Sequence, residues 1–136
     1  MNKGDSMELD LWLPATPQQV FHAWVDGPTH AQVTGGDATS DPRVGGQFTA
    51  WDGYIEGTYL ELAEPHLIVQ HWRTSEFPEG APDSRLEIAL SEENGGTRLV
   101  LRHSAIPEGD GPRYQQGWVD YYFKPLSEFF AGEHGA

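Results

Sequence analysis

Cysteine is missing from the 136 residues of the sequence. Its absence excludes disulfides, thiolate zinc sites, iron–sulfur clusters and cysteine nucleophiles, and it agrees with the reducing cytoplasm in which we expect the protein. No stretch approaches the roughly 18 consecutive apolar residues of a membrane-spanning helix, and the N-terminus carries acidic residues where a signal peptide has its apolar core. We therefore expect neither a membrane span nor an export signal.

Basic residues are scarce, since 8 Lys and Arg stand against 21 Asp and Glu, a net charge of −13 with His neutral. A chain of this charge repels the phosphates of nucleic acids and the headgroups of anionic lipids, so neither nucleic acid nor a membrane is expected as a partner. The acidic residues are spread from Asp5 to Glu133 without a run. This distribution is typical of a solvated surface rather than an acidic interaction tail.

The patterns of metal sites and of serine hydrolases are missing too. No two of the six histidines have the i, i+4 spacing of a helical metal site or the His-x-His spacing of a strand site. The Gly-x-Ser-x-Gly elbow of serine hydrolases does not occur. The sequence therefore predicts no metal site, no cofactor and no identifiable catalytic residue.

Large ring side chains, in contrast, are plentiful. Apolar residues make up 38% of the chain and aromatic residues 12%, which is the composition of a folded domain. A chain of this length normally forms one domain. Because the strand-like pattern starts at Met7, we expect one domain over residues 7–131 and a disordered leader over residues 1–6.

The N-terminal part of the domain predicts a strand followed by short helices. Polar and apolar side chains alternate over residues 8–13, as in a half-buried strand. A capping box formed by Thr16 and Gln19 predicts a short helix over residues 16–25. A second, weaker helix is predicted over residues 29–33.

A hairpin is predicted between residues 48 and 62, where Asp52-Gly53 favours a two-residue type I′ turn. This turn places Trp51 opposite Tyr54. Alternation then directs one set of side chains toward the interior, namely Phe48, Ala50, Ile55, Gly57 and Tyr59. The alternation breaks at Leu60, which predicts a β-bulge there.

The remainder of the chain predicts three strands and a closing helix. The strands are expected over residues 67–73, 84–90 and 97–103, and the last two each have one charged and one apolar face. The spacing of large apolar side chains over residues 112–130 predicts a long helix with a broad apolar face. Proline removes a backbone hydrogen bond, so Pro125 is expected to kink or break this helix.

This order of elements resembles the helix-grip fold of the START-like superfamily, also called SRPBCC or birch-pollen-allergen-like. The resemblance implies an α+β protein with a curved antiparallel sheet of about six strands wrapped around a long C-terminal helix. One or two short helices follow the first strand in this fold.

Short motifs narrow the resemblance to one family. Over residues 8–130 they include Gly45-Gly46-x-Phe48, Asp52-Gly53-x-Ile55-x-Gly57, Trp72-Arg73, Phe77-Pro78-Glu79-Gly80 and Gly117-Trp118-x-x-Tyr121-Tyr122-Phe123. In their order and spacing the chain resembles homologues of the activator of the heat-shock protein 90 ATPase, specifically the C-terminal domain of that activator. The resemblance implies binding of an apolar small molecule or of a protein partner, such as a chaperone in a stress response.

A candidate ligand cavity lies between the predicted sheet and the long helix, because an apolar space with a few polar groups is typical of a small-molecule pocket. Its predicted lining consists of Phe48, Ile55, Tyr59, Ile68, Gln70, Trp72, Leu86, Ile88, Leu99, Leu101 and His103, faced by Trp118, Tyr121 and Tyr122. The polar members are Tyr59, Gln70, His103 and Tyr121. The alternative is that aromatic side chains fill this space and that neighbours or a buried water satisfy each polar group.

Three functions follow as hypotheses. The first is a non-enzymatic domain that binds an apolar small molecule in this cavity. The second is a chaperone-associated or other protein-interaction module that uses the outer surface near Trp51, Tyr54 and the Phe77 loop. The third is an enzyme of the cyclase or hydrolase kind, for which His103 and a cavity tyrosine offer the acid and base groups. The oligomeric state is left open.

Overall fold

A computed structural model describes residues 4–135 of the chain. The strands are β1 (Asp5–Leu13), β2 (Thr39–Ser40), β3 (Gln47–Ala50), β4 (Ile55–Ala63), β5 (Leu67–Thr74), β6 (Ser84–Glu93) and β7 (Gly96–Ile106). The helices are α1 (Pro17–Val25), α2 (Gly27–Thr34), α3 (Gly111–Trp118) and α4 (Lys124–Gly135). A π-helical turn, Val119–Phe123, joins the last two helices, so α3, the π-turn and α4 form one C-terminal helix.

Seven strands of the described residues form one antiparallel sheet in the order β1-β7-β6-β5-β4-β3-β2. Helices α1 and α2 lie between β1 and β2 along the chain, and the C-terminal helix follows β7. This is the expected α+β helix-grip architecture, with one strand more than the roughly six expected. The additional strand, β2, has two residues, which is too short for an alternating pattern to show in the sequence.

Strand β1 begins before Met7, the expected start of the domain. Asp5 pairs with Ile106 of β7, and its carboxylate accepts hydrogen bonds of 2.9 and 2.8 Å from two backbone N–H groups near the start of α3. Residues 1–3 of the expected leader lie outside the described residues, whereas Asp5 and Ser6 belong to the sheet.

The connection between β3 and β4 comprises Trp51 to Tyr54, because the regular strands end at Ala50 and resume at Ile55. The predicted turn at Asp52-Gly53 is present within it, since φ is 60° at Asp52 and 90° at Gly53 and the backbone N–H of Tyr54 donates to the Trp51 carbonyl at 3.0 Å. The register of the two strands is also the predicted one, since Ala50 pairs with Ile55.

The predicted β-bulge is confirmed at Leu60. Pairing of β4 with β5 passes from Tyr59 opposite Gln70 to Glu61 opposite Val69, which leaves Leu60 unpaired and 38% exposed. The bulge keeps the predicted inward side chains inside. Phe48, Ala50, Ile55 and Tyr59 are buried, as are Ile68, Leu86, Ile88, Leu99 and Leu101 on the neighbouring strands.

The C-terminal helix is interrupted beside Pro125, as predicted. Lys124 donates its backbone N–H to the carbonyl of Val119, five residues back rather than four. Pro125 has no N–H to offer the carbonyl of Tyr121, and the wider π-turn lets the helix continue past it. The extra residue in this turn changes the angular position of the side chains, so Tyr122 is buried while Tyr121 is 58% exposed.

Ring side chains fill much of the interior between the sheet and the helices. Trp24 of α1 stacks on Trp118 and Tyr122, with ring centroids 6.2 and 5.2 Å apart. Trp72 of β5 packs against Trp118 from the sheet side at 5.4 Å. The C-terminal helix is therefore held to the rest of the domain by aromatic contacts on both sides of Trp118.

Candidate functional site

Two cavities are found beside the C-terminal helix, and the first is enclosed. It has a volume of about 10 Å³, which is space for one water molecule at most. The residues around it come from α1, α2, the α2–β2 loop, the strands β2 to β5 and the π-turn. This cavity is too small for an organic ligand.

The second cavity is an open groove of about 480 Å³, here named the aromatic groove. It lies between the β3–β4 turn, the loop after β5 and the C-terminal helix. Its lining has seven aromatic residues, Trp51, Tyr54, Trp72, Tyr114, Trp118, Tyr121 and Tyr122, together with Ile55, Glu76, Arg113 and Gly117. The volume lies within the range of about 300–1,000 Å³ that is typical of small-molecule sites.

The structure divides the predicted site residues into three groups. Those on the aromatic groove are Ile55, Trp72, Trp118, Tyr121 and Tyr122. Those on the enclosed cavity alone are Phe48, Tyr59 and Gln70. The remaining six, Ile68, Leu86, Ile88, Leu99, Leu101 and His103, line neither cavity and are 0% exposed. The aromatic groove thus lies at one edge of the predicted region, and packed side chains occupy the centre of that region.

Two aromatic residues lie where the sequence did not place them. The expected inward orientation of Tyr121 is wrong, because its ring is exposed and packs edge-on against Trp51, with centroids 5.6 Å apart. Phe77 belongs to a loop that was expected at the outer surface, but its own side chain is 6% exposed and packs against Trp72 and Tyr114. Tyr121 and Trp51 therefore form an outer wall of the groove, and Phe77 supports two of its rings from behind.

His103 is a buried hydrogen-bonding residue behind the groove. Its Nδ1 accepts a 3.1 Å hydrogen bond from the indole N–H of Trp118, so the proton resides on Nε2, which bonds to the hydroxyl of Ser84 at 2.8 Å. That hydroxyl in turn donates to the carbonyl of Trp72 at 2.6 Å. Burial lowers the pKa of His103 to about 3, so the imidazole is neutral at pH 7. His103 therefore fixes the orientation of Trp118 and has no free nitrogen for acid–base work.

Tyr122 is fixed by His30 of α2, a residue that the sequence analysis did not single out. The Nδ1–H of His30 donates to the carbonyl of Trp24 at 2.9 Å, which leaves Nε2 to accept a 2.8 Å hydrogen bond from the Tyr122 hydroxyl. Burial lowers the pKa of His30 and so preserves this acceptor. His30 and Tyr122 are 92 positions apart in the chain, and the fold brings them into contact.

The rim of the groove carries a charged cluster that the sequence analysis also missed. The Glu76 carboxylate accepts a 2.7 Å hydrogen bond from the Tyr54 hydroxyl and another from the Arg113 guanidinium. These donors, Tyr54 first, hold the pKa of Glu76 below its ordinary value. Arg113 also pairs with Asp110 at 3.4 Å and lies over the ring of Tyr114, 4.8 Å from its centroid. Its charge is therefore compensated at the rim.

The buried indole N–H of Trp51 has no close hydrogen-bond partner, although it interacts with the Tyr122 hydroxyl and counteracts the effect of burial, which raises the pKa of that tyrosine. Among the described residues, its indole Nε1 is the one buried side-chain nitrogen or oxygen without a hydrogen-bond partner. A buried donor without a partner costs about 1–3 kcal/mol. The backbone at Trp51 is left-handed, and Gly36 packs so closely that a Cβ there would lie 3.0 Å from Cε3 of the indole. The fold thus holds this ring against Gly36 at one wall of the groove.

The described residues contain neither a cluster of side chains suited to a metal ion nor a membrane-spanning helix. In that part of the chain, no group of three or more His, Asp or Glu side chains is placed to hold a metal ion. None of the helices described combines the length and the apolar character needed to cross a bilayer.

Relatives of the chain match nearly its whole length. The family model described as Activator of Hsp90 ATPase homolog 1-like protein matches residues 14–131. The activator of 90 kDa heat shock protein ATPase homolog of Dictyostelium discoideum is 24% identical over 114 residues, which is 83% of this chain and 30% of that protein. The chain spans about a third of the length of the curated relatives it matches.

Two solved structures share the fold and part of the sequence. An HSP90 activator from Plasmodium falciparum superposes with a TM-score of 0.86 at 27% identity, over 94% of this chain and 97% of that chain. CalU16 from Micromonospora echinospora superposes with a TM-score of 0.73 at 28% identity, over 90% of this chain and 76% of that chain. Both likenesses therefore extend over at least nine-tenths of the chain.

Proposed function

Since the chain belongs to the family of Activator of Hsp90 ATPase homolog 1-like proteins, we propose that it is a non-enzymatic helix-grip domain that binds an apolar small molecule in the aromatic groove. The observation that carries the proposal is the groove itself, about 480 Å³ of open volume between aromatic walls. Such an apolar space with few polar groups is the usual composition of a small-molecule pocket.

The driving force for such a ligand is burial of apolar surface. A two-ring molecule that buries about 200 Å² in the groove gains roughly 5 kcal/mol, at about 25 cal/mol per Å². The lost translational and rotational freedom of the ligand offsets part of this gain. We therefore expect simple two-ring probes to bind with dissociation constants no tighter than about 0.2 mM.

The proposal is non-enzymatic because His103, the candidate base, and Tyr59, one of the two candidate tyrosines, serve as internal hydrogen-bond partners. His103 is enclosed and bonded through both ring nitrogens. The Tyr59 hydroxyl bonds to Ser40 at 2.7 Å and lies on the enclosed cavity rather than on the groove. A cyclase or hydrolase mechanism would need such a group beside the ligand with a free proton-transfer atom.

Thermal unfolding of the full chain with a series of uncharged compounds of one to three aromatic rings tests the proposal. We expect the melting temperature to rise with concentration and to saturate, since a ligand that binds only the folded state stabilises it by mass action. No concentration-dependent rise with any member of the series would overturn the proposal.

A chaperone-related protein interaction is the second candidate. It is supported by the likeness to the HSP90 activator from Plasmodium falciparum and by the Dictyostelium discoideum relative. Because the chain spans about a third of the length of its curated relatives, we expect weak stimulation at most of the heat-shock protein 90 ATPase by this chain alone. A steady-state ATPase assay with the purified chaperone tests this, and strong stimulation would put protein interaction ahead of ligand binding.

A further inference from the structure

Three rings of the aromatic groove are accessible to solvent. Tyr121 is 58% exposed, and Trp51 and Tyr54 are half-buried. The face of an aromatic ring carries negative charge, so a cation over the face and within about 6 Å of the centroid is attracted to it. The groove contains one such contact already, because the guanidinium of Arg113 lies over the ring of Tyr114, 4.8 Å from its centroid. Aromatic walls of this kind suit a ligand with a cationic group.

The Glu76 carboxylate lies at the rim between two other residues that line the groove. Its Oε1 atom accepts hydrogen bonds from the hydroxyl of Tyr54 and from the guanidinium of Arg113. Among the described residues, no hydrogen bond is made to the other oxygen, Oε2. The Glu76 side chain is 52% exposed, so the carboxylate is accessible from outside the protein. Oε2 is therefore an acceptor available to a molecule in the groove.

The charges at the rim favour a cation over an anion. Hydrogen bonds from Tyr54 and Arg113 hold the pKa of Glu76 below its ordinary value, so its carboxylate is ionised at pH 7. Of the residues that line the groove in the described part of the chain, Arg113 is the only cation, and it pairs with both Glu76 and Asp110. Two carboxylates against one guanidinium leave this cluster negative, and the whole chain carries a net charge of −13. Both charges repel an anionic ligand.

We propose that the ligand of the aromatic groove is a small molecule with an aromatic ring body and one ammonium group, and that the ammonium donates a hydrogen bond to Oε2 of Glu76. This inference rests on the proposed function and specifies the ligand class for the same site. The ring body supplies the apolar burial. The ammonium adds a charge-assisted hydrogen bond and attraction to ring faces. Because the Glu76 carboxylate is half exposed, solvent screens this pair, and its contribution amounts to a few-fold in affinity.

Three naphthalene derivatives of similar shape test the ligand class with the full chain at pH 7. 1-(2-Naphthyl)ethylamine is an ammonium ion at this pH, 2-acetylnaphthalene has the same carbon skeleton without a charge, and 2-naphthoate carries a negative charge. We expect the amine to bind about fivefold more tightly than the ketone and roughly tenfold or more tightly than the carboxylate.

The Glu76→Gln variant tests the contact with Oε2. The amide oxygen of Gln can take the place of Oε1 and keep the bonds from Tyr54 and Arg113, which puts an NH₂ donor where Oε2 was. The variant should lose the preference for the amine and bind the ketone within about twofold of the wild type. Glu79→Gln is the matched control, because Glu79 is exposed in the same loop and does not line the groove. It removes the same unit of charge and should keep the preference.

An NMR measurement on the wild-type chain makes the test independent of how the Glu76→Gln variant folds. The ¹³C resonance of the Glu76 carboxylate should move on titration with the amine and much less with the ketone, while that of Glu79 stays in place. Equal affinities for the amine and the ketone would overturn this inference but leave the proposed function standing. A preference for the amine that persists unchanged in Glu76→Gln, or tightest binding of the carboxylate, would overturn it as well. Failure of all three compounds to bind would overturn both proposals.

Discussion

The indole N–H of Trp118 donates a 3.1 Å hydrogen bond to Nδ1 of His103, and the two side chains are 3% and 0% exposed. The bond connects the C-terminal helix to β7. It also holds the Trp118 ring at the aromatic groove, which that ring lines. The stability of the domain and the shape of the groove therefore depend on the same contact.

Replacing Trp118 by Ala should severely destabilise the domain. The change removes a ring packed against Trp24, Trp72 and Tyr122 and leaves Nδ1 of His103 without its donor. Truncation of a buried Trp costs roughly 3–5 kcal/mol. We expect a melting temperature lower by about 10 °C or more, or no folded protein. A melting temperature within a few degrees of the wild type would contradict the placement of this ring.

His103 should make the domain less stable as the pH falls below about 6.5. Its folded pKa of about 3 lies below the ordinary value of 6.5, so the folded state binds fewer protons than the unfolded state between these pH values. The contribution of neutral His103 to the free energy of unfolding is fully present above pH 6.5 and is lost progressively toward pH 3. Between pH 6.5 and 5 the loss from this residue is about 2 kcal/mol.

Urea denaturation of His103→Gln at several pH values isolates this contribution. The variant cannot titrate at this position, so its free energy of unfolding should fall less between pH 6.5 and 5 than that of the wild type. Identical pH slopes for the two proteins would show that His103 is not held neutral by burial.

Tyr122→Phe should destabilise the domain by about 1–2 kcal/mol, because it leaves the buried Nε2 of His30 without the hydroxyl that donates to it. Tyr121→Phe is the matched control on the neighbouring, exposed ring and should change stability little. The comparison is made by urea denaturation at pH 7. Equal effects of the two changes would argue against the hydrogen bond between Tyr122 and His30.

Gly117 allows the groove to be filled without disturbing the core. A Cβ at this position meets only Cδ2 of Tyr121 at 3.9 Å, an ordinary contact, and the residue lines the groove. Gly117→Leu should therefore weaken binding of 2-acetylnaphthalene at least tenfold without lowering the melting temperature. Gly117→Ala should retain binding and raise stability by about 0.5–1 kcal/mol, because glycine is unfavourable inside a helix. Unchanged affinity in Gly117→Leu would place the ligand elsewhere.

Alternation and turn chemistry predicted most of the sheet. The register of β3 with β4 and the bulge at Leu60 followed from residues close together in the chain. The prediction failed at Tyr121, because regular helical spacing does not anticipate the extra residue of a π-turn. The rim pair of Glu76 and Arg113 joins residues 37 positions apart, and no local pattern encodes such a contact.

The position of the groove could not be predicted for a related reason. The sequence indicated an apolar space over the centre of the sheet, where the side chains of Leu86, Ile88 and Leu101 are fully packed instead. The open volume lies where a turn, a loop and the C-terminal helix meet. The groove exists because of the distances between these three elements. Composition and periodicity of the sequence do not predict those distances.

The measurement that tests the ligand site most directly is a two-dimensional ¹H–¹⁵N NMR titration of the full chain with 2-acetylnaphthalene. The account predicts saturable shifts centred on the backbone and indole N–H groups of Trp51, Gly117 and Trp118, which line the groove, and small changes at Leu11 on β1. No saturable shift, or shifts centred on residues away from the groove, would contradict it.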